Sequence, residues 1–212
     1  MKSSFRKNLP IILWWTAVLS ASIYFYHRDL ASFFSPNRTA HEQSIKWRLM
    51  IHFIAASATL FLGPLQFIPY IRNNFKTYHR TAGKIYIVGS IISALMVFLF
   101  MSQYELTGSI LSLTLLASIW LFTTCAAFWF ALKKNFKMHK QFMIRSYVWA
   151  FAFILIRALP ILQSATGIFN FIKGDEMRLT VYEWICWIYP LIVTEFLLSW
   201  LPSIKKYSIS KK

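Results

Sequence analysis

The chain has 212 residues, 57% of them apolar and 18% aromatic, with only 14% charged, against about 25% charged in soluble domains. Its 23 Lys+Arg and 7 Asp+Glu leave a net charge of +16. With apolar runs of about 20 residues, long enough to cross a hydrocarbon core of about 30 Å, these figures point away from a soluble enzyme, a secreted disulfide scaffold or a disordered tail.

Charged clusters divide the chain into six spans at 9–26, 49–71, 85–102, 108–132, 142–164 and 180–201. Only helices satisfy their own backbone polar groups in lipid without closing a barrel. The ten-residue alternating segments of a membrane barrel are missing from this sequence. The expected fold is therefore all-α: a polytopic membrane protein with six transmembrane helices. Residues 1–44 form an N-terminal anchor helix and exterior loop, 45–202 a five-helix membrane core, and 203–212 a basic cytoplasmic tail.

Lys2, Arg6 and Lys7 precede the first apolar run, as in a signal peptide, but bulky Ile23–Tyr26 continue that run past the small residues Ser20–Ser22. Its length exceeds a signal core of about 7–15 residues, and we read it as an uncleaved anchor. His27 and His41 fall in the loop that follows, where Pro36 and Asn37 mark irregular chain. Sixteen Lys and Arg flank the spans on the side that holds both termini, including Arg72, Arg80, Lys84, Lys133, Lys140 and Arg145; six lie on the other side. By the positive-inside rule the protein is expected in the cell inner membrane with N and C termini cytoplasmic. The basic surplus would then touch anionic lipid of the bilayer, and no nucleic acid is needed to explain it. Trp47, Tyr70, Tyr86, Trp129, Tyr182, Trp184 and Trp200 are placed like an interfacial aromatic belt. Cys125 and Cys186 sit in separate apolar runs without ligand spacing and read as small core residues.

Two loops resemble each other. Asn74-Phe75-Lys76-Thr77-Tyr78-His79-Arg80 and Asn135-Phe136-Lys137-Met138-His139-Lys140 align with one residue deleted, and each joins one span to the next. This predicts a parallel repeat of two helical hairpins, about an axis along the membrane normal. His79 and His139 would then occupy equivalent helix starts, the arrangement that bis-histidine ligation of a metal or haem b iron requires. Arg80, Lys84, Lys140 and Arg145 would lie near haem propionates, and Gly83 would allow close approach. The alternative is that both histidines are interfacial loop residues that cap helix starts or contact headgroups.

Charged groups at membrane depth cost about 2.5–3.5 kcal/mol each on insertion scales, so each needs a partner or a role. The candidates are His52, Gln66, Arg157, Glu183 and Glu195. Depth pairs Arg157 with Glu183 in the outer layer and Glu195 with Gln66 in the inner one. Arg157 is otherwise free for an anionic headgroup or a quinone carbonyl.

The order His52, Gly63-Pro64-Leu65-Gln66-Phe67, His79-Arg80-Thr81-Ala82-Gly83-Lys84-Ile85-Tyr86, His139-Lys140-Gln141-Phe142-Met143-Ile144-Arg145-Ser146-Tyr147 and Arg157 resembles a bacterial family of predicted membrane proteins, domain of unknown function 2306, over about residues 45–200. The resemblance implies no activity; it marks His52, Gln66, His79, Arg80, His139, Arg145 and Arg157 as motif positions. A looser likeness to b-type cytochromes of the b561 kind lacks the histidine pairs that two haems need. No nucleotide, HExxH or serine–histidine–acid motif occurs. Three functions stay open: an accessory or structural membrane protein, a haem-b or metal-binding redox protein with a quinone or other membrane redox partner, and a small-molecule carrier with a path past His52, Arg157 and Glu183.

Overall fold

The computed structural model describes residues 2–35, 46–103 and 107–210, which form helices joined by short turns, with no strand among them. We number the helices α1 (Lys2–Phe33), α2 (Lys46–Phe67), the one-turn α3 (Pro69–Asn74), α4 (Lys76–Met101), α5 (Thr107–Leu132), α6 (Phe136–Thr166) and α7 (Asp175–Glu195). A π segment, Phe196–Trp200, carries α7 without a break into α8 (Leu201–Ser210). His41, Pro36 and Asn37 lie outside the described residues.

Among the described residues five stretches are long and apolar enough to cross a membrane: Lys46–Phe67, Lys76–Met101, Thr107–Leu132, Phe136–Thr166 and Asp175–Tyr207. The run expected at 9–26 lies inside α1, which continues to Phe33. Several helices outrun their apolar stretches. The 31 residues of α6 span about 46 Å, because a helix keeps its hydrogen-bond ladder after its side chains turn polar.

Helices α2, α4, α5 and α6 pack in that order into a closed ring, with α6 returning to α2. On the outside, α7 packs on α6 and α5, and α1 on α2 and α6. Small residues set the spacing, as in membrane bundles generally: a Cβ on Gly89 of α4 would lie 2.6 Å from the Ala55 carbonyl oxygen of α2. Rings fill the larger gaps, with Trp15 stacked on Phe67 at 5.7 Å and Trp149 against Trp187 at 5.8 Å.

Large apolar side chains face outward on every long helix, among them Trp14, Ile54, Leu95, Phe122, Leu162 and Val193, as expected where lipid is the solvent. Trp47, Tyr70, Trp129 and Trp200 are exposed like belt residues, whereas Tyr86 and Tyr182 are buried in the bundle. Tyr86 turns inward because its hydroxyl meets Ser146 of α6 at 3.0 Å. Cys186 is buried, but Cys125 faces outward on α5.

Helix α5 ends in a Schellman turn. The Asn135 N–H donates to the Phe130 carbonyl at 2.9 Å and the Lys134 N–H to the Ala131 carbonyl at 3.0 Å. Lys134 thereby adopts φ 57°, a left-handed conformation that costs a side-chain-bearing residue about 1–2 kcal/mol. Lys134→Gly is expected to stabilise the chain by about 0.5–1 kcal/mol, less than that strain because glycine loses more entropy on folding. The measurement is the thermal midpoint in detergent, and a lowered midpoint would contradict it.

Candidate functional site

A cavity of about 510 Å³ opens at the end of the ring where α2 starts and α4 finishes. Asp29 of α1, His52 of α2, Trp120 of α5, Trp149 and Arg157 of α6 and Cys186 of α7 contribute to its lining. The wall is mostly apolar, and its charged groups converge on one side. Arg157 Nε donates to Asp29 Oδ2 at 2.6 Å, and Nη2 contacts the same oxygen. Arg157 Nη1 donates to the Phe153 carbonyl at 3.2 Å, and the guanidinium lies 3.8 Å from the centroid of that residue's ring. Arg28 Nε stands 3.9 Å from the other Asp29 oxygen. Two guanidiniums thus share one carboxylate, leaving a local surplus of positive charge. The His52 ring is held from its Nδ1 side, 3.0 Å from both the carbonyl and the hydroxyl oxygen of Ser93.

The expected Arg157–Glu183 pair does not form. The face of α6 that carries Phe153, Ile156 and Arg157 lines the cavity, and there α1 supplies Asp29. Glu183 is buried on α7 beside Ser109 of α5. Asp29 lies in helix α1, as does His27, and not in the loop expected after residue 26. The available signal was its position as an isolated acid just beyond an apolar run.

At the opposite end, His79 and His139 are each the fourth residue of a helix, α4 and α6. Each backbone N–H donates at 2.9 Å to the residue preceding that helix, Phe75 or Asn135. His139 Nδ1 donates to the Ala127 carbonyl at 2.8 Å, which points Nε2 away from α5. His79 is near enough to feel charge on His139, and its Nδ1 is buried without a hydrogen-bond partner. Buried Gln66 faces Gly83, where a Cβ would come 3.6 Å from Gln66 Oε1. Above them the hydroxyls of Tyr86, Ser146 and Thr124 form a buried chain, with links of 3.0 and 2.7 Å.

Arg145 is committed elsewhere. Its Nε donates to Glu195 Oε1 at 2.5 Å and its Nη2 to Glu195 Oε2 at 2.9 Å. Ser199 of the π segment closes this group, accepting from Nη2 at 3.1 Å and donating to Glu195 Oε2 at 2.8 Å. Glu195 therefore holds Arg145 and not Gln66. Arg80, Lys84 and Lys140 are exposed. Among the described residues no group of three or more His, Cys, Asp or Glu is arranged to hold a metal ion.

A family model described as Predicted membrane protein (DUF2306) matches residues 49–198. The chain belongs to that family. No match was found among curated proteins or among solved structures. Every motif position named from the sequence falls inside the matched region of this DUF2306 protein, from His52 to Arg157. Asp29, which neutralises Arg157, is supplied from outside it.

Proposed function

We propose that this protein is a six-span carrier of the cell inner membrane that binds a small organic anion in the cavity beside Arg157. Helix α1 counts as the sixth span, because residues 9–26 have the needed length and apolarity and lead from a basic N-terminus. On the lysine and arginine distribution, both termini face the cytoplasm and the cavity opens toward the outer leaflet, with anionic lipid against the basic inner loops. The equivalent placement of His79 and His139 supports descent of α2–α4 and α5–α6 from one duplicated hairpin.

The observation that carries the proposal is the convergence of Arg157, Asp29 and His52 on one cavity, with Arg28 beside the ion pair. Its volume of about 510 Å³ falls in the range of small-molecule sites, about 300–1,000 Å³, which typically combine apolar walls with a few placed polar groups. Asp29 acts as the internal occupant of the guanidiniums, and an incoming anion competes with it.

Titration of the detergent-purified chain with octanoate tests this. Saturable binding is expected. Asp29→Asn should tighten it by removing the competing carboxylate, and Asp29→Asn/Arg157→Gln should weaken it about tenfold or more, the loss of about 1.4 kcal/mol or more from a charge-assisted bond. Absence of saturable octanoate binding in the natural chain would refute the proposal.

A second reading is favoured by the orientation of His139. An imidazole whose Nδ1 is tied to a carbonyl presents Nε2 as a metal-ligand nitrogen, and His79 is likewise the fourth residue of its helix. These two residues would hold haem b, which supplies one-electron redox chemistry when bound, while Arg80 and Lys140 remain free for propionates. A Soret band in the purified protein that disappears in both His79→Ala and His139→Ala is the expected result on this reading. A colourless natural protein purified from haem-replete cells would remove it.

A further inference from the structure

We propose that the anion carries an aliphatic tail and reaches the cavity sideways from the bilayer, along a groove between α1, α6 and α7 that meets the cavity at Cys186. This rests on the cavity reading above and adds the ligand's class and its route.

The groove encloses about 670 Å³. Trp14 and Trp15 of α1, Phe151 and Leu155 of α6, and Tyr189 and Val193 of α7 contribute to its walls, and none of its lining residues is charged. The cavity holds Asp29 and Arg157, with Arg28 beside the pair. Helix α6 divides the two spaces: Ala150, Phe153 and Arg157 look into the cavity, and Phe151, Leu155 and Leu159 into the groove. Cys186 of α7 lines both. It is 2% exposed, and its thiol donates back to the Glu183 carbonyl at 3.1 Å, so it sits close along its own helix.

One small side chain is therefore all that α7 places between a positively charged chamber and an uncharged trough. A head that seeks guanidinium and a tail that seeks hydrocarbon would be sorted to opposite sides of this septum. A freely water-soluble anion would use the chamber alone. The juxtaposition fits a single-chain amphiphile drawn from the membrane, with its carboxylate at Arg157 and its chain passing Cys186 into the groove.

Chain length separates this route from simple anion binding. Octanoate fits within the cavity, whereas oleate must place most of its chain beyond Cys186. The purified full-length protein in maltoside micelles is titrated with each, alongside Cys186→Trp, which fills the septum, and Val148→Trp, which fills the groove from α6. Expected is octanoate affinity unchanged within about twofold in Val148→Trp, whose position lines the groove alone, with oleate affinity reduced about tenfold or more in both variants. If Cys186→Trp fails to fold, Val148→Trp decides alone, folding being judged by elution profile and thermal midpoint. Oleate bound equally by the natural chain and by the blocked variants would overturn the lateral route and leave the cavity reading standing, as would octanoate binding without oleate binding. Failure of the natural chain to bind octanoate would sink the cavity reading itself.

Discussion

Arg157→Ala alone is expected to cost the folded chain up to about 3 kcal/mol, the low end for breaking a buried pair, because it leaves a part-buried carboxylate with only Arg28, 3.9 Å away on the same helix. Asp29 is 21% exposed and Arg157 27%, so water reaches each only from one side. Asp29→Ala should do comparable damage from the other direction, although the Phe153 carbonyl and ring still engage the guanidinium. Removing both charges should recover most of the loss, since replacing a buried pair as a unit is often close to neutral. The four proteins form a double-mutant cycle read by thermal unfolding in detergent. A strong non-additive coupling is expected, and simple additivity of the single losses would show that the pair does not hold α1 to α6. The consequence is mainly for α1, whose other anchors are ring contacts such as Trp15 with Tyr147 at 5.7 Å and Tyr26 with Phe53 at 4.3 Å.

Gly89→Leu should abolish the folded monomer, because α2 and α4 touch through their backbones at this point. A Cβ on Gly89 would stand 2.6 Å from the Ala55 carbonyl oxygen and 3.1 Å from the Ala58 Cβ. A flexible side chain could swing aside, but a helix carbonyl cannot, so the two helices must separate. Even alanine at 89 should cost about 1–3 kcal/mol as overpacking. Gly83→Ala on the same helix is the control. Its Cβ would meet only Gln66 Oε1 at 3.6 Å, an ordinary contact, and the thermal midpoint should barely move. Equal midpoints for the alanine variants at 83 and 89 would contradict the close crossing.

The membrane-crossing core could be read from sequence because lipid demands long unbroken apolar runs, and α2, α4, α5, α6 and α7 each contain one. Helix ends were less legible: α4 begins at Lys76 and α6 at Phe136, well before the apolar stretches expected from 85 and 142. The backbone stays helical through the polar interface, where hydropathy no longer reports it. That His79 and His139 each stand near a helix start was visible in the loop alignment, since it depends only on spacing along the chain. Partners were not. Which acid meets which arginine depends on the rotation of each helix about its axis, and depth alone could not separate Asp29, Glu183 and Glu195. The pair Arg157–Asp29 joins residues 128 positions apart, and the group Arg145–Glu195–Ser199 joins α6 to α7 and the π segment beyond it. Tyr86 went astray for the same reason: its position suggested the interface, while its rotation on α4 carries it into the core.

The π segment gives the last helix a built-in slack. The Leu201 N–H bonds to the Phe196 carbonyl, five residues back, so one turn holds an extra residue. Because the wide turn absorbs that residue, the helix beyond it faces much as it would with ordinary winding and one residue fewer. A single deletion in this stretch is expected to leave the direction of α8 nearly unchanged, whereas the same deletion earlier in α7 would turn everything beyond it by about 100°.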